Sequence, residues 1–563
     1  MKLLGKEISG IFTVPSGIVT TNLGVIKKFA DEIPEVGVLT TKSIGLLPKP
    51  GNMEPIYAEI PEAGSYVNAV GLGNPGCEAF RDELKNVYPL ESRFLLVSIF
   101  DSTPEGMLKV AQTLENYADA FELNFSCPHA EKGYGMDIGS SCELTEKYIR
   151  FLKEKIKIPI FVKLTPNVTN FGEIVEAAIN AGADGITAIN TAGPLKSSIL
   201  SHGKGGMSGK GVKQKALECV KIARETASKL GKGNDFPIIG MGGISNADDV
   251  REFLDAGATI IGIGSSLTGF DTEKTKKFFS TILKDLENNT NNSTEFILQK
   301  KIMHYDDYKI TKIDEVDHDL RIFYFNKPIP EALPGNFVFC WIQGIAEKPF
   351  SIAYNNPLML VIRAVGPFTK KMFEFKVGNT LKVRGPYGKH YDTEKMKDAV
   401  LVGGGTGIAP IYFLAKSLAE KGQRPSGVFI GGRHASQIIL EKEFRKICQT
   451  FVSTDDGSAG FKGFVTDLLK SELEKELEIK SFSAAGPEIM MLKSGEIAKK
   501  YIPEEMIFMS IERYYKCGVG ICGVCECDGL RSCIDGPIMK LSEIKNDFGH
   551  YHRDKTGKKI NYR

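Results

Sequence analysis

Short, mostly apolar runs alternate with segments of helical periodicity through the first half of this 563-residue chain. The runs are apolar at nearly every position, as expected of parallel strands that are buried on both faces. Segments between them, such as 143–156 and 172–181, carry apolar residues at the spacing of one helix face. This regular alternation predicts a single (β/α)8 barrel rather than an open sheet. The predicted strands are residues 94–100, 120–124, 158–164, 185–189, 237–241 and 259–263.

The pattern changes after residues 287–294, a polar stretch reading Glu-Asn-Asn-Thr-Asn-Asn-Ser-Thr that lacks core-forming side chains. Beyond it, short alternating strands broken by Gly and Pro predict a small antiparallel β-barrel. Strand–helix alternation then resumes, which is typical of a nucleotide-binding α/β layer. The predicted architecture is α/β, with a TIM barrel (1–287), a linker (288–297), an antiparallel β-barrel domain (298–395), a nucleotide-binding domain (396–509) and a cysteine-rich domain (510–563).

The amino-acid composition limits the kinds of binding partner that we expect for this chain. The 71 basic and 69 acidic residues leave a net charge of +2, which gives no reason to expect a nucleic-acid or membrane-surface partner. No apolar run approaches the roughly 18 residues that a membrane-spanning helix needs. The 11 cysteines are odd in number and scattered except near the C-terminus, which argues against a disulfide framework. We therefore expect a soluble, cytoplasmic protein that takes small-molecule ligands.

The cysteines near the C-terminus form the most specific pattern in the chain. Four of them follow the spacing C-x4-C-x2-C-x7-C, and the first three reproduce the plant-type spacing for a [2Fe–2S] cluster. Zinc is the alternative, although it usually takes paired C-x2-C hooks. Cys527 is a fifth candidate, but Cys533 precedes Asp-Gly-Pro, a turn that returns the chain toward the cluster. The predicted ligands are Cys517, Cys522, Cys525 and Cys533.

Polar side chains gather at the predicted strand ends of the barrel, which is where barrel enzymes carry out their chemistry. The glycines of Gly242-Gly243 and Gly264-Ser265 allow backbone amides to approach a phosphate closely. Lys42 and Lys163 supply positive charge for a flavin and an anionic substrate. The thiol of Cys127 lies among predicted strand-end amides, which suggests a planar, amide-rich ligand. Those polar residues are Asn68, Asn124, Asn190 and Thr191.

Five motifs in the first half, in this order and spacing, resemble the class 1 dihydroorotate dehydrogenases, particularly the type paired with an iron–sulfur subunit. The resemblance implies that the chain oxidises dihydroorotate to orotate in pyrimidine (UMP) biosynthesis, on FMN, with the barrels pairing into a homo-oligomer. The motifs are residues 68–76 (Asn-Ala-Val-Gly-Leu-Gly-Asn-Pro-Gly), 124–128 (Asn-Phe-Ser-Cys-Pro), 162–166 (Val-Lys-Leu-Thr-Pro), 189–191 (Ile-Asn-Thr) and 206–209 (Gly-Met-Ser-Gly).

The same resemblance assigns roles to residues. Cys127 and Lys42 are the implied catalytic residues: the thiol takes the C5 proton of dihydroorotate while C6 gives a hydride to the flavin, and Lys42 faces the substrate carboxylate. The implied FMN contacts are Ser16, Lys42, Ser43, Ser98, Asn124, Lys163, Ile189, Gly209, Gly242, Gly243, Gly264 and Ser265. The implied substrate contacts are Lys42, Asn68, Ala69, Val70, Gly71, Leu72, Asn124, Asn190 and Thr191.

One residue of the thiol motif points to a second substrate class. His129 stands where dihydroorotate enzymes commonly carry Asn, and dihydropyrimidine dehydrogenases carry a similar Ser-Cys-Pro-His. Oxidation of dihydrouracil, or reduction of uracil, is therefore the alternative chemistry.

The second half resembles the electron-transfer subunit that accompanies these enzymes. Its tetrapeptide at 348–351 resembles the Arg-Pro-x-Ser flavin motif of ferredoxin-reductase-like proteins, with Lys in place of Arg. The resemblance implies FAD, a [2Fe–2S] cluster and a nicotinamide site. The implied FAD contacts are Lys348, Pro349, Phe350, Ser351, Ile362, Arg363, Ala364, Phe368 and Thr369.

A glycine turn between a predicted strand and a predicted helix, residues 403–410, suits pyrophosphate or nicotinamide. A glycine-rich turn without a ligand is the alternative interpretation. Arg433 and His434, after a later predicted strand, leave the choice between NAD and NADP open. The predicted NAD contacts are Gly403, Gly404, Gly405, Thr406, Gly407, Gly486 and Pro487.

Together the two resemblances imply an NAD-dependent dihydroorotate dehydrogenase in one polypeptide. Electrons would pass from dihydroorotate to FMN, then to the cluster, to FAD and to NAD+. The relatives usually divide these parts between two chains. A flavoprotein that carries electrons for a partner protein, with an inactive barrel, is the alternative from a different class.

Overall fold

Parallel strands near the start of the chain close into a barrel, as predicted. The computed structural model describes residues 1–60, 62, 64–126, 135–297 and 302–562. Within them, eight barrel strands pair in chain order, and the last closes on the first through Ile261 and Phe12. The strands are Phe12–Val14, Val38–Thr40, Phe94–Ile99, Ala120–Asn124, Ile160–Leu164, Gly185–Ala188, Ile238–Met241 and Ile260–Gly262.

The helices between these strands carry one buried apolar face each, which is why the sequence shows helical periodicity there. Several begin at a side-chain cap: Thr103, Ser141, Asn246 and Asp271 each accept a hydrogen bond from a backbone amide of the first turn. The helices are Leu23–Glu32, Cys77–Leu84, Pro104–Leu114, Met136–Gly139, Cys142–Lys153, Phe171–Asn180, Lys213–Lys229, Ala247–Asp255 and Thr272–Asn288.

A four-stranded antiparallel sheet, which the sequence pattern did not reveal, is built from long loops after the second and sixth barrel strands. Asn68 of the substrate motif lies in it, paired with Gly206 of the 206–209 motif. Its strands are Tyr57–Glu59, Ser65–Asn68, Ala192–Lys196 and Lys204–Gly209. The sheet therefore brings two separate sequence motifs together.

The chain divides into two compact units. Unit 1 comprises residues 1–301, 519–529 and 553–559, and unit 2 comprises 302–518, 530–552 and 560–563. Part of the predicted linker is folded: Asp285 accepts hydrogen bonds from the Ser293 amide at 2.7 Å and the Thr290 hydroxyl at 2.7 Å.

Unit 2 begins with the predicted antiparallel β-barrel. In the described residues it has six strands, each paired with antiparallel neighbours, and the last closes on the first. The long first strand has a mixed rather than an alternating burial pattern. The strands are Asp306–Asp317, Leu320–Phe325, Phe337–Ile342, Ala346–Asn355, Leu358–Arg363 and Thr380–Tyr387, with a helix Pro367–Met372.

The predicted nucleotide-binding layer forms a mainly parallel sheet. A strand from the cysteine-rich domain, Ile538–Lys540, joins its edge antiparallel to Ile507–Ser510. The other strands, in sheet order, are Phe461–Lys462, Thr450–Thr454, Gly427–Gly432, Ala399–Gly404 and Ser481–Ala485. The helices are Ile408–Glu420, Glu441–Arg445, Val465–Glu474 and Glu488–Ala498. Among the described helices of the whole chain, none is both long and apolar enough to cross a bilayer.

A buried ion pair lies in the wall of the antiparallel β-barrel. The Arg384 guanidinium donates to both oxygens of Glu347, at 2.5 and 2.8 Å, and both side chains are at most 1% exposed. The Tyr305 hydroxyl also donates to Glu347 at 2.5 Å, and burial first, with the Glu347 charge, raises the Tyr305 pKa. Arg384 further donates to the Cys517 carbonyl at 3.0 Å. The pair therefore connects the barrel wall to a predicted cluster ligand.

Replacing Arg384 with Met is expected to lower the free energy of unfolding of unit 2 by about 3–5 kcal/mol, because Glu347 would be left charged and buried. Urea denaturation followed by tryptophan fluorescence measures this, since Trp341 lies in the same barrel. Lys382→Met is the matched control: Lys382 lies on the same strand, pairs with Asp307 at 3.0 Å and is 45% exposed. That control should cost at most about 1 kcal/mol. Equal losses in the two variants would contradict the role assigned to the buried pair.

Candidate functional site

A chain of hydrogen bonds runs along the carboxyl-end rim of the parallel barrel. The Ser98 and Ser43 hydroxyls lie 2.9 Å apart, and the Asn124 amide donates to Ser43 at 2.8 Å. The Ser126 hydroxyl donates to Asn124 at 3.0 Å, and the Asn190 amide donates to Ser126 at 2.9 Å. These residues come from four strand ends, so the barrel brings together side chains that are far apart in sequence.

Positive charge accompanies this network. Lys163 is 3% exposed, and its ammonium donates to the Ser16 hydroxyl at 3.1 Å. Lys42 is half-buried and follows Thr41, whose hydroxyl donates to the Lys42 carbonyl at 2.8 Å. Buried amides beside a buried lysine fit a planar ring that offers both carbonyls and N–H groups, such as a flavin.

The predicted phosphate loop at Gly243 closely approaches the backbone of Gly209, an implied FMN contact. Gly243 has φ +78°, and a Cβ placed on it would lie 2.8 Å from the Gly209 carbonyl oxygen. Gly209 has φ +83°, and a Cβ there would lie 1.9 Å from the Gly64 carbonyl oxygen. Side chains are thus excluded where amides must reach an anion, which fits a phosphate cradle. Ile189, Gly242, Gly264 and Ser265 also lie at barrel strand ends.

The substrate motif forms a loop held by two asparagines. The Asn52 amide donates to the Ala69 carbonyl at 3.0 Å, and the Asn74 amide donates to the Leu72 carbonyl at 3.0 Å. The loop includes Val70 and Gly71, the latter at φ +78°. Sequence analysis did not single out Asn52. Thr191 follows Asn190, whose side-chain carbonyl accepts a hydrogen bond from the Thr191 amide at 2.8 Å. Cys127 and His129 fall in 127–134, outside the described residues.

The predicted FAD residues of unit 2 lie on or near strands of the antiparallel β-barrel, and two of them are hydrogen-bonded to neighbouring groups of the protein. The Lys348 ammonium lies 5.4 Å from the centre of the Tyr514 ring, and the Phe350 and Phe368 rings are 5.8 Å apart. Pro349, Ser351, Ile362 and Ala364 lie on or beside the same strands. Two others have structural partners: Arg363 donates to both oxygens of Asp319 at 2.7–2.8 Å, and Thr369 accepts from the Val365 and Gly366 amides.

The predicted NAD turn packs directly against the other predicted NAD loop. A Cβ on Gly407 would lie 2.4 Å from the Gly486 nitrogen, and one on Gly486 would lie 2.7 Å from the Gly404 carbonyl oxygen. Gly403 and Gly404 end a sheet strand, and Gly405–Gly407 is a turn of 3₁₀ helix. The space beside Gly405 is open: no atom of the described residues lies within 4 Å of a Cβ placed there. Pro487 caps the helix that begins at Glu488.

The predicted cluster cysteines are buried thiols. Ten of the eleven cysteines lie in the described residues, and those ten form no disulfide. Cys517, Cys522, Cys525 and Cys533 are 1–5% exposed. Cys533 lies in a turn closed by Asp535, whose carboxylate accepts the Arg531 amide at 2.8 Å. Cys517 and Cys533 belong to unit 2, and Cys522 and Cys525 belong to unit 1.

The segment 519–529 of unit 1 is attached to the loop after the first barrel strand. The Val19 amide donates to the Ile521 carbonyl at 2.7 Å, and the Thr21 hydroxyl donates to the Cys522 carbonyl at 3.0 Å. The Gly269 amide donates to the Val519 carbonyl at 2.9 Å. Val19 and Gly269 follow Ser16 and Ser265 closely in sequence. Two predicted cluster ligands are therefore held beside loops predicted to bind FMN.

Glu526, next to Cys525, is a buried acid in this segment. Burial alone would raise its pKa, but the charge of Arg553 and the Gly529 amide outweigh burial, so the pKa is lowered. In unit 2, burial raises the pKa of Glu512. Sequence analysis assigned no role to Glu526 or Arg553, because neither stands in a recognisable motif.

The family described as dihydroorotate dehydrogenase matches residues 1–289, which is more than half of the chain. The chain belongs to the dihydroorotate dehydrogenase family. An oxidoreductase NAD-binding domain matches residues 401–494, and the iron–sulfur cluster binding domain of dihydroorotate dehydrogenase B matches residues 512–545. These matches confirm the predicted fold class, and they favour iron–sulfur over zinc.

Two proteins of Methanocaldococcus jannaschii each match one half of this chain. The one named "Dihydroorotate dehydrogenase B (NAD(+)), catalytic subunit" is 38% identical over 283 residues, covering 48% of this chain and 89% of that protein. The one named "Probable dihydroorotate dehydrogenase B (NAD(+)), electron transfer subunit" is 40% identical over 260 residues, covering 45% of this chain and 97% of that protein. The chain thus joins parts that are two separate proteins in that organism.

A solved structure also resembles part of this chain. It is described as "Insights into flavin-based electron bifurcation via the NADH-dependent reduced ferredoxin-NADP oxidoreductase structure". The match has 31% sequence identity and a TM-score of 0.39, and it covers 42% of this chain and 89% of that chain.

Gly243→Ala is expected to weaken FMN binding about tenfold or more. The left-handed backbone costs about 1–2 kcal/mol with a Cβ, the contact with Gly209 adds to this, and each 1.4 kcal/mol is a factor of about ten. Titration of the flavin-depleted protein with FMN, followed by fluorescence quenching, measures the affinity. Gly231→Ala is the matched control, because Gly231 has φ +74° but no atom within 4 Å of the added Cβ. Unchanged FMN affinity in Gly243→Ala would rule out the phosphate cradle.

Proposed function

We propose that this chain oxidises dihydroorotate to orotate and delivers the electrons to NAD+, as one polypeptide. The observation that carries the proposal is that one chain matches the dihydroorotate dehydrogenase family, an NAD-binding domain and the iron–sulfur domain of dihydroorotate dehydrogenase B. When bound, FMN supplies a two-electron acceptor for the substrate, and the cluster and FAD supply a relay to NAD+.

The residues of the barrel rim would bind and orient the substrate. Asn68, Asn124 and Asn190 offer amides to the pyrimidine ring, and Lys42 offers charge to the carboxylate. The hydrogen bonds among Ser43, Asn124 and Asn190 restrict their rotamers, which lowers the entropy cost of binding. Cys127 would take the C5 proton as the base. Lys163 would stabilise the charge that develops on FMN.

Anaerobic titration with dihydroorotate tests this proposal. Purified holoprotein should lose its visible flavin absorbance with dihydroorotate and regain it with NAD+. Dihydrouracil in place of dihydroorotate is the matched substrate, because it lacks only the carboxylate that Lys42 would bind. Faster loss of colour with dihydrouracil would favour the dihydropyrimidine reaction suggested by His129. No loss of colour with either substrate would favour the electron-carrier alternative.

The ligand set of the cluster has its own test. Cys533→Ser should lower bound iron and acid-labile sulfide, because four thiolates hold a [2Fe–2S] cluster. Cys527→Ser should retain both, although Cys527 is also buried. Elemental analysis and electron paramagnetic resonance of the reduced protein measure the difference. The opposite result would make Cys527 the fourth ligand.

Two further properties rest on the sequence alone, the first on the resemblance and the second on composition. Pairing of the barrels into a homo-oligomer stays a prediction, and so does a cytoplasmic location. Sedimentation equilibrium of the purified chain would measure the first.

A further inference from the structure

One arginine of unit 1 binds two carboxylates from distant parts of the chain. The Arg553 guanidinium donates to both oxygens of Glu83 at 2.9 and 2.8 Å. Its Nε donates to Glu526 at 2.9 Å, and it also donates to the Gly557 carbonyl at 2.9 Å. The side chains of Arg553, Glu83 and Glu526 are 4%, 15% and 1% exposed. Four of the five guanidinium N–H groups therefore donate to partners in the described residues.

The two carboxylates lie next to functional segments. Glu526 directly follows Cys525, a predicted cluster ligand, and its carboxylate also accepts the Gly529 amide at 2.9 Å. Glu83 lies in the helix Cys77–Leu84, which begins directly after the 68–76 substrate motif. Arg553 thus connects the cluster-ligand segment to the helix that follows the substrate loop.

The surroundings of Glu526 leave it little freedom. A Cβ on Gly24, in the helix after the first barrel strand, would lie 2.2 Å from a Glu526 carboxylate oxygen. A Cβ on Gly523 would lie 1.9 Å from the Thr21 hydroxyl oxygen. The cluster-ligand segment therefore packs closely against the loop and helix that follow the first barrel strand, with glycine at both close contacts. Backbone hydrogen bonds with Val19 and Gly269 join the segment to the barrel loops. Arg553 binds Glu526, in the part of the segment that carries Cys525.

Only arginine suits this position. Its planar group carries five N–H donors in a fixed fork, whereas a lysine ammonium is a single point of charge. Bidentate binding of Glu83 through two terminal nitrogens allows Nε to reach Glu526 from the same plane.

We propose that Arg553 is a positioning residue for electron transfer, which holds Cys525 and its segment at the fixed distance from the barrel that transfer from the FMN site requires. The inference rests on the proposed function, because it assumes FMN at the barrel rim and a cluster on Cys522 and Cys525. Tunnelling rates fall steeply with distance, so a small displacement of the segment slows this step and leaves the two end reactions intact.

The test compares Arg553→Met and Arg553→Lys with the unchanged holoprotein. Lys555→Met is the matched control, since Lys555 is an exposed cation in the same C-terminal segment. Stopped-flow spectroscopy and rapid-freeze electron paramagnetic resonance would follow reduction of the cluster, first by dihydroorotate and then by NADH. Hydrogen exchange of the Gly269 and Gly529 amides reports whether the segment stays attached.

In Arg553→Met we expect reduction of the cluster by dihydroorotate to slow at least tenfold, with a smaller effect in Arg553→Lys. Flavin bleaching by dihydroorotate and cluster reduction by NADH should keep the unchanged rates, as should every step in Lys555→Met. Exchange of the Gly529 amide should accelerate. A merely structural role would instead lower both routes of cluster reduction together, with loss of iron and sulfide.

An unchanged rate from dihydroorotate to the cluster in both variants overturns the inference, as does equal slowing of both routes. If Arg553→Met does not fold, Arg553→Lys alone decides on the same criteria. Failure of the proposed function looks different, because the unchanged protein would then show no flavin bleaching with dihydroorotate at all.

Discussion

Closure of the parallel barrel is the constraint on which the rest of unit 1 depends. Once eight strands pair in chain order and the last meets the first, all eight carboxyl ends face one rim. Residues as distant as Ser16, Ser98 and Lys163 then share one site. The hydrogen-bonded series from Ser98 to Asn190 exists only because register fixes each strand end at a matching height. The four-stranded sheet and the segment 519–529 are additions to this rim.

The sequence pattern predicted the strands that are buried on both faces, because such strands are apolar at nearly every position. Strands such as Ala120–Asn124 are apolar enough to be recognised, and the structure ends them within two residues of the predicted bounds. The strand Ala192–Lys196 was missed because it is largely exposed and contains Gly and Pro. The turn after Cys533 was foreseeable from Asp-Gly-Pro, since those residues favour turns wherever they occur.

Attachment of 519–529 to the barrel could not be predicted from the sequence. Its hydrogen bonds join residues such as Thr21 and Cys522, and they use the Cys522 backbone carbonyl, a group that every residue carries. Gly24, Gly523 and Gly529 are sequence traces of the contact, and glycines in a cysteine-rich loop already have an explanation in the cluster. The thiol motif at 124–128 was predicted from sequence alone, and its Cys127 lies outside the described residues.

In each unit, a buried arginine donates a hydrogen bond to a predicted cluster cysteine or to the residue next to one. In unit 2, Arg384 binds Glu347 and the Cys517 carbonyl, and Glu347 directly precedes the predicted FAD residue Lys348. In unit 1, Arg553 binds Glu526 beside Cys525. Burying such charges is costly unless their donors and acceptors are matched, and each arginine donates four hydrogen bonds to described partners. This free-energy cost of burying charge is tolerated where the exact position of a residue matters more than stability, as it does for the ligands of a redox centre.

Unit 1 is assembled from three stretches of the chain, and the last of them ends at residue 559. On the ribosome, the barrel is synthesised first, with Val19, Gly24 and Glu83 facing water. At about 5–20 residues per second, the chain between residues 301 and 519 takes about 10–45 s to emerge. A nascent barrel must therefore remain soluble during that time, while the surface that residues 519–529 and 553–559 later contact is exposed to water. Joining the two halves in one gene product makes the waiting period fixed and independent of how much of a second subunit the cell has made.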